Sequence, residues 1–126
     1  MNITIYEQIG DEGLWKLLNS FYDKIFDHPE LASLFMQSER NEVQNKQFLF
    51  IRQFLGGPLE YSEKHGPPMM RKRHLPHKIT PKAKDIWLAC MKEAVEEQEW
   101  NERLKEVFYG IFPPIAAHMV NTEDAN

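Results

Sequence analysis

The feature that most constrains this chain is the recurrence of apolar residues at three- and four-residue intervals, with no stretch of strand-like alternation to compete with it. Leu14, Leu17, Leu18, Phe21, Tyr22, Ile25 and Phe26 fall on one helical face, starting near Asp11 and stopping at His28-Pro29. A short turn led by Pro29 carries Leu31, Leu34 and Phe35, and Val43, Gln47, Phe50, Ile51 and Phe54 then mark a second face that ends at Gly56-Gly57-Pro58. Thr80 and Pro81 have the chemistry of a helix start for Ala83, Ile86, Trp87, Cys90, Met91 and Ala94. The last stripe is Leu104, Val107, Phe108, Ile111, Phe112, Ile115 and Met119, and Pro113-Pro114 keeps its phase while predicting a kink. The pattern predicts an all-α fold, and the length of 126 residues with 42% hydrophobic content fits a single domain over 1–126.

Composition excludes several roles. With 15 basic and 19 acidic residues and a net charge of -4, nucleic acid is not the expected partner. No apolar run approaches the roughly 20 residues that a membrane span needs, and the N-terminal MNITIYEQIG lacks the layout of a secretory signal. A lone Cys90 rules out an internal disulfide framework and fits a reducing compartment, so the expected location is cytoplasmic.

Between the second and third stripes runs Gly56 to Pro76, GGPLEYSEKHGPPMMRKRHLP, an unpatterned connection of a length that compact domains usually keep for function. It ends on His74 behind Arg71-Lys72-Arg73. A neutral imidazole there could hold a transition metal or a haem iron from one side, or it could be an ordinary solvated histidine. On the inward faces, Tyr22, Gln47 and Trp87 bring a hydroxyl, an amide and an indole N–H into the interior. Unpaired, such an amide costs roughly 1–3 kcal/mol. Converging, the three would form a pocket able to stabilise a small ligand with developing negative charge; singly, each is an ordinary amphipathic core residue.

The combination and order of these residues resemble the group II truncated haemoglobins, short globins built as a two-over-two α-helical sandwich around haem. The resemblance runs from Tyr6 to about Val120 and rests on Phe21-Tyr22, His28-Pro29, Leu34-Phe35, Lys46-Gln47, Gln53-Phe54-Leu55-Gly56-Gly57-Pro58, Tyr61, His65-Gly66, Arg73-His74-Leu75-Pro76 and Trp87-Leu88-x-Cys90-Met91. It implies haem b (iron protoporphyrin IX) as cofactor, His74 as proximal iron ligand, and Tyr22, Gln47 and Trp87 as distal donors to a bound ligand. It implies haem contacts from Phe35, Val43, Lys46, Phe50, Tyr61 and Arg73, with Lys46, Tyr61 and Arg73 at positions that contact the haem or its propionates, and it places Val43 at the pocket mouth, where relatives can carry a small or polar residue. His77 stands where an aromatic is usual and is expected to be solvated. The function implied is reversible binding of dioxygen and other diatomic ligands, as in oxygen transport. The same donors could polarise an O–O bond, giving peroxidase-like or nitric oxide dioxygenase activity with an unidentified reductase. A haem-free helical interaction domain would keep the stripes, but it would not require three inward donors facing a loop histidine.

Overall fold

The computed structural model describes residues 3–35, 39–66, 79–121 and 123. Among them the chain forms α-helices α1 (Ile5–Asp27), α2 (Pro29–Ala32), α3 (Arg40–Phe54), α4 (Glu60–His65), α5 (Pro81–Glu96), α6 (Glu102–Gly110) and α7 (Phe112–Met119), with a 3-10 turn at Ser33–Phe35 and no strand. The architecture is the two-over-two sandwich. Helix α1 packs on both α3 and α5, and α5 packs in turn on α6 and α7. One core cluster joins them, led by Leu14, Leu17, Leu18, Phe21 and Ile25 of α1 with Met91, Ala94 and Val95 of α5.

Local chemistry sets the helix limits. Thr4 opens α1 with a reciprocal capping box, its hydroxyl accepting from the Glu7 amide while the Glu7 carboxylate accepts from the Thr4 amide. The long apolar stripe does begin after Asp11, but a helical segment precedes it, joined at Gly10, whose φ of 74° suits glycine and bends the axis. Thr80 caps α5 by accepting from the Ala83 amide at 3.0 Å, with Pro81 in the first turn as expected. Asn121 clamps the residue ahead of that cap, exchanging two hydrogen bonds with the Ile79 backbone at 2.9 and 3.0 Å.

Two expectations need correction. The connection after Gly56 is not unstructured throughout, because Glu60–His65 forms α4. Its first turn holds Glu60 and Glu63 and its last holds Lys64 and His65, the arrangement that suits the helix dipole. Tyr61 is its one buried side chain, too little for a periodic signal. The final stripe is two helices rather than one kinked helix. Pro113 and Pro114 have no amide hydrogens, so the ladder breaks around Ile111 while the backbone there keeps right-handed helical torsions. No described helix is long and apolar enough to cross a membrane.

Candidate functional site

A mostly apolar pocket, partly open to solvent, lies among α2, the 3-10 turn, α3, α5 and α7. Each wall follows from helical phase. Gln47, Phe50, Ile51 and Phe54 recur along α3, Ala83, Lys84 and Trp87 along α5, and Ile115, Ala116 and Met119 along α7. Leu31, Leu34 and Phe35 close one end, and Ile79 and Phe112 complete the lining.

Polar groups in this mostly apolar setting are few, and two of them have no hydrogen-bond partner among the described residues. The Gln47 amide and the Trp87 indole make no hydrogen bond among the described residues, although both side chains are half-buried on the wall. Tyr22 is 3% exposed and sits one ring behind the wall, edge-on to Phe35 at 6.4 Å and to Phe21 at 4.9 Å. Its hydroxyl also lacks a hydrogen bond among the described residues. Burial pushes its pKa well above the ordinary phenol value, so Tyr22 is a neutral donor across physiological pH. The Trp87 ring is held edge-on by Phe21 at 4.9 Å and tilted against Phe112 at 5.7 Å. Packed aromatics therefore fix both the indole and the phenol, while their polar ends stay available.

The remaining candidates divide. Phe35 and Phe50 line the pocket. Tyr61 is buried on α4, edge-on to Phe50 at 5.4 Å, and supports that wall from behind. Val43 is half-buried against the core one turn before Gln47 and is not part of the lining, and Lys46 is exposed beside it. Arg73, His74 and His77 lie outside the described residues.

Two residues were missed by the sequence reading. Lys84 is the one charged side chain among the described lining residues, and among described residues it pairs with the neighbouring Asp85 at 3.2 Å. Its position three residues before Trp87 was the available signal. Gln44, not Gln47, is the fully buried amide of α3, at 1% exposure. It reaches Asn19 Oδ1 and accepts from Arg40 Nε, both at 3.5 Å, and Arg40 in turn pairs with Asp23 at 2.7 Å.

A helical two-over-two sandwich around a mostly apolar pocket is the architecture of a short globin. The family model for bacterial-like globins matches residues 4–121. The chain is 42% identical over 120 residues to group 2 truncated hemoglobin YjbI of Bacillus subtilis, covering 95% of this chain and 90% of that one. Two-on-two hemoglobin-3 of Arabidopsis thaliana is 30% identical, covering 75% of this chain and 55% of the plant protein. Among solved structures, the group II truncated hemoglobin of Bacillus anthracis superposes with a TM-score of 0.93 at 37% identity, covering 100% of this chain and 97% of that one. The truncated oxygen-avid haemoglobin of Bacillus subtilis gives 0.89 at 41%, covering 94% and 100%. The chain belongs to the group II truncated haemoglobins.

Globins as a family bind haem, and the residues of this pocket fit that group. Its walls are apolar, Phe35 and Phe50 offer ring faces, and Lys84 brings a cation that could offset a carboxylate's desolvation. The donors left without partners suit a polar centre inside a flat apolar molecule.

Proposed function

We propose that the chain is a single globin domain over 1–126 that binds haem b through His74 and reversibly binds dioxygen and other diatomic ligands in the cytoplasm. One observation carries this reading: among the described residues, Gln47 and Trp87 have no hydrogen-bond partner on a mostly apolar pocket wall, and the buried Tyr22 ring packs edge-on against Phe35 of that wall. In that mostly apolar setting a bound diatomic ligand with partial negative charge would accept from these donors, whose hydrogen bonds are stronger there than in water. Haem supplies the iron to which such a ligand coordinates.

The chain's own residues supply the rest. His74 lies five residues before the pocket-lining Ile79, within easy reach along the chain. Trp87 can only donate, whereas Gln47 can donate through Nε2 or accept through Oε1, and Tyr22 can do either through its hydroxyl. Phe35 and Phe50 would pack on the haem ring, with Tyr61 backing Phe50, and Arg73 and Lys46 would offset the charge of its propionates. The same donors can polarise the O–O bond of a hydroperoxide, which is the second reading, with electrons from a separate donor or reductase.

The absorption spectrum of the purified protein tests the proposal. An intense band at the blue edge of the visible is expected, lost in His74→Gly and kept in His77→Ala. Full haem content in His74→Gly with loss in His77→Ala would move the ligand to the other histidine. The absence of any such band after haem addition would reject haem binding.

A further inference from the structure

A continuous series of aromatic rings leaves the pocket and ends near the surface. The Trp87 ring on the pocket wall meets Phe112 at 5.7 Å, Phe112 meets Phe108 at 5.2 Å, and Phe108 meets Trp100 at 5.3 Å, centroid to centroid. Phe108 is fully buried and Phe112 nearly so, whereas Trp100 is half-buried on the connection between α5 and α6. Close ring packing needs no function in itself. Here, however, the only two readily oxidised rings in the series stand at its two ends.

The surroundings of those ends differ in charge. Trp100 lies within the run Glu96, Glu97, Glu99 and Glu102, all exposed, answered by Arg103 and by Lys24 and Lys105, whose ammonium groups reach Glu97 at 2.8 Å and Glu102 at 3.7 Å. An excess of carboxylates lowers the cost of positive charge on a nearby indole, so an electron hole is more stable at Trp100 than at Trp87 in its apolar wall. Tyr22 is a poor competitor. A phenol gives up an electron readily only when its proton has somewhere to go, and its hydroxyl has no acceptor among the described residues. An indole can carry the hole with its proton still attached.

We propose that Trp87, Phe112, Phe108 and Trp100 form a path that carries oxidising equivalents from the pocket to Trp100, making that surface a site where bulky phenols of neutral or positive charge are oxidised at the expense of a hydroperoxide. The proposal rests on the haem-binding reading. Cleaving the O–O bond of a hydroperoxide to an alcohol and water takes up two electrons and two protons. Each electron is drawn from Trp87, replaced from Trp100 through the two phenylalanine rings, and restored to Trp100 by a phenol at the surface. The phenol releases its proton to water and becomes a phenoxyl radical. Two such passages balance the reaction: one hydroperoxide and two phenols give one alcohol, one water and two phenoxyl radicals.

The test uses haem-loaded protein, tert-butyl hydroperoxide, a spin trap, and a lysine-rich peptide carrying one tyrosine as a donor too large for the pocket. Electron paramagnetic resonance should show an indole-centred radical, and mass spectrometry should place the trap adduct on Trp100. The adduct should disappear in Trp100→Phe, which preserves ring packing on Phe108, and fall at least several-fold in Phe108→Leu. Oxidation of the tyrosine peptide should fall at least tenfold in Trp100→Phe. Hydroperoxide consumption by loaded native protein without modification of Trp100, or equal modification in haem-free protein, would overturn the path and leave haem binding standing. A protein that takes up no haem would remove both.

Discussion

The two faces of α3 carry the same residue type one turn apart and treat it in opposite ways. On the face toward α1, Gln44 is buried and tied to Asn19 and Arg40. Arg52, two turns on, pairs with Asp11 at 3.5 Å and with Glu60, and stacks over Phe48 at 5.1 Å. On the face toward the pocket, Gln47, Phe50 and Phe54 line open space, Gln47 has no partner among the described residues, and Phe54 is 53% exposed. The helix is finished on one side and waiting for an occupant on the other. The buried Gln44 amide is paired within the fold, whereas the Gln47 amide stands on a mostly apolar wall where a ligand would satisfy it.

The largest test of that contrast fills the open face. Ligand present at a hundredfold its dissociation constant stabilises by about 2.7 kcal/mol, which for a domain of this size raises the melting temperature by roughly 10 °C. Haem-loaded protein should melt at least that much above the haem-free form, measured by circular dichroism. Equal melting temperatures would mean that the pocket face gains nothing from haem.

Next in size is ligand release. Losing one hydrogen bond to a charged acceptor costs about 1.5–3 kcal/mol, roughly tenfold to a hundredfold in rate. Stopped-flow release of dioxygen should accelerate by that factor in Trp87→Phe, because an indole has no second orientation through which another donor could be relieved. Tyr22→Phe should give a smaller change. Rates matching the parent in both variants and in their double would show that these donors do not touch the ligand.

A paired substitution sharpens the comparison directly. Gln44→Leu should lower stability by about 1 kcal/mol, since it strands Asn19 and loosens Arg40, and should leave dioxygen release unchanged. Gln47→Leu should leave stability of the haem-free form within about 0.5 kcal/mol and speed release. Denaturant titration beside stopped-flow separates the two, and matching responses in both variants would erase the difference between the faces.

The same helix shows what could be read from sequence. Apolar spacing marked Gln47, Phe50, Ile51 and Phe54 as inward, and the pocket contains all four. It did not mark Gln44, which shares a stripe with Phe48, Ile51 and Leu55, because its partner Asn19 lies 25 residues away on another helix. Signals confined to a few residues were legible, as at Thr80-Pro81. Helix α4 was not, since six residues with one buried side chain have no period to detect. Resemblance, rather than periodicity, carried the assignments of His74 and Arg73, which lie outside the described residues. It also placed Val43 at a mouth where the described pocket does not extend.

The smallest expected effect lies on the finished side of the molecule, where Glu97, just past α5, is held by α1. Lys24 Nζ stands 2.8 and 2.9 Å from its two carboxylate oxygens, and the Ser20 hydroxyl donates to one of them. The Lys24 hydrogen bond, and then that of Ser20, hold this carboxyl below its ordinary value of 4.5. A carboxyl whose pKa is depressed on folding contributes its stability above the unfolded value and loses it as pH falls through the folded one. The contribution of Glu97 is therefore complete at pH 7 and fades below about pH 4.5. Because the side chain is 54% exposed, it amounts to a few tenths of a kcal/mol. Glu97→Gln should show that deficit at neutral pH in low salt, a smaller one in high salt, and none once the pH is well below the carboxylate range. Dioxygen release should match the parent throughout, since none of the three residues lines the pocket. A deficit that persists undiminished in acid would trace the loss to packing at the helix end instead of charge, and a change in release would show that this tie and the pocket are coupled.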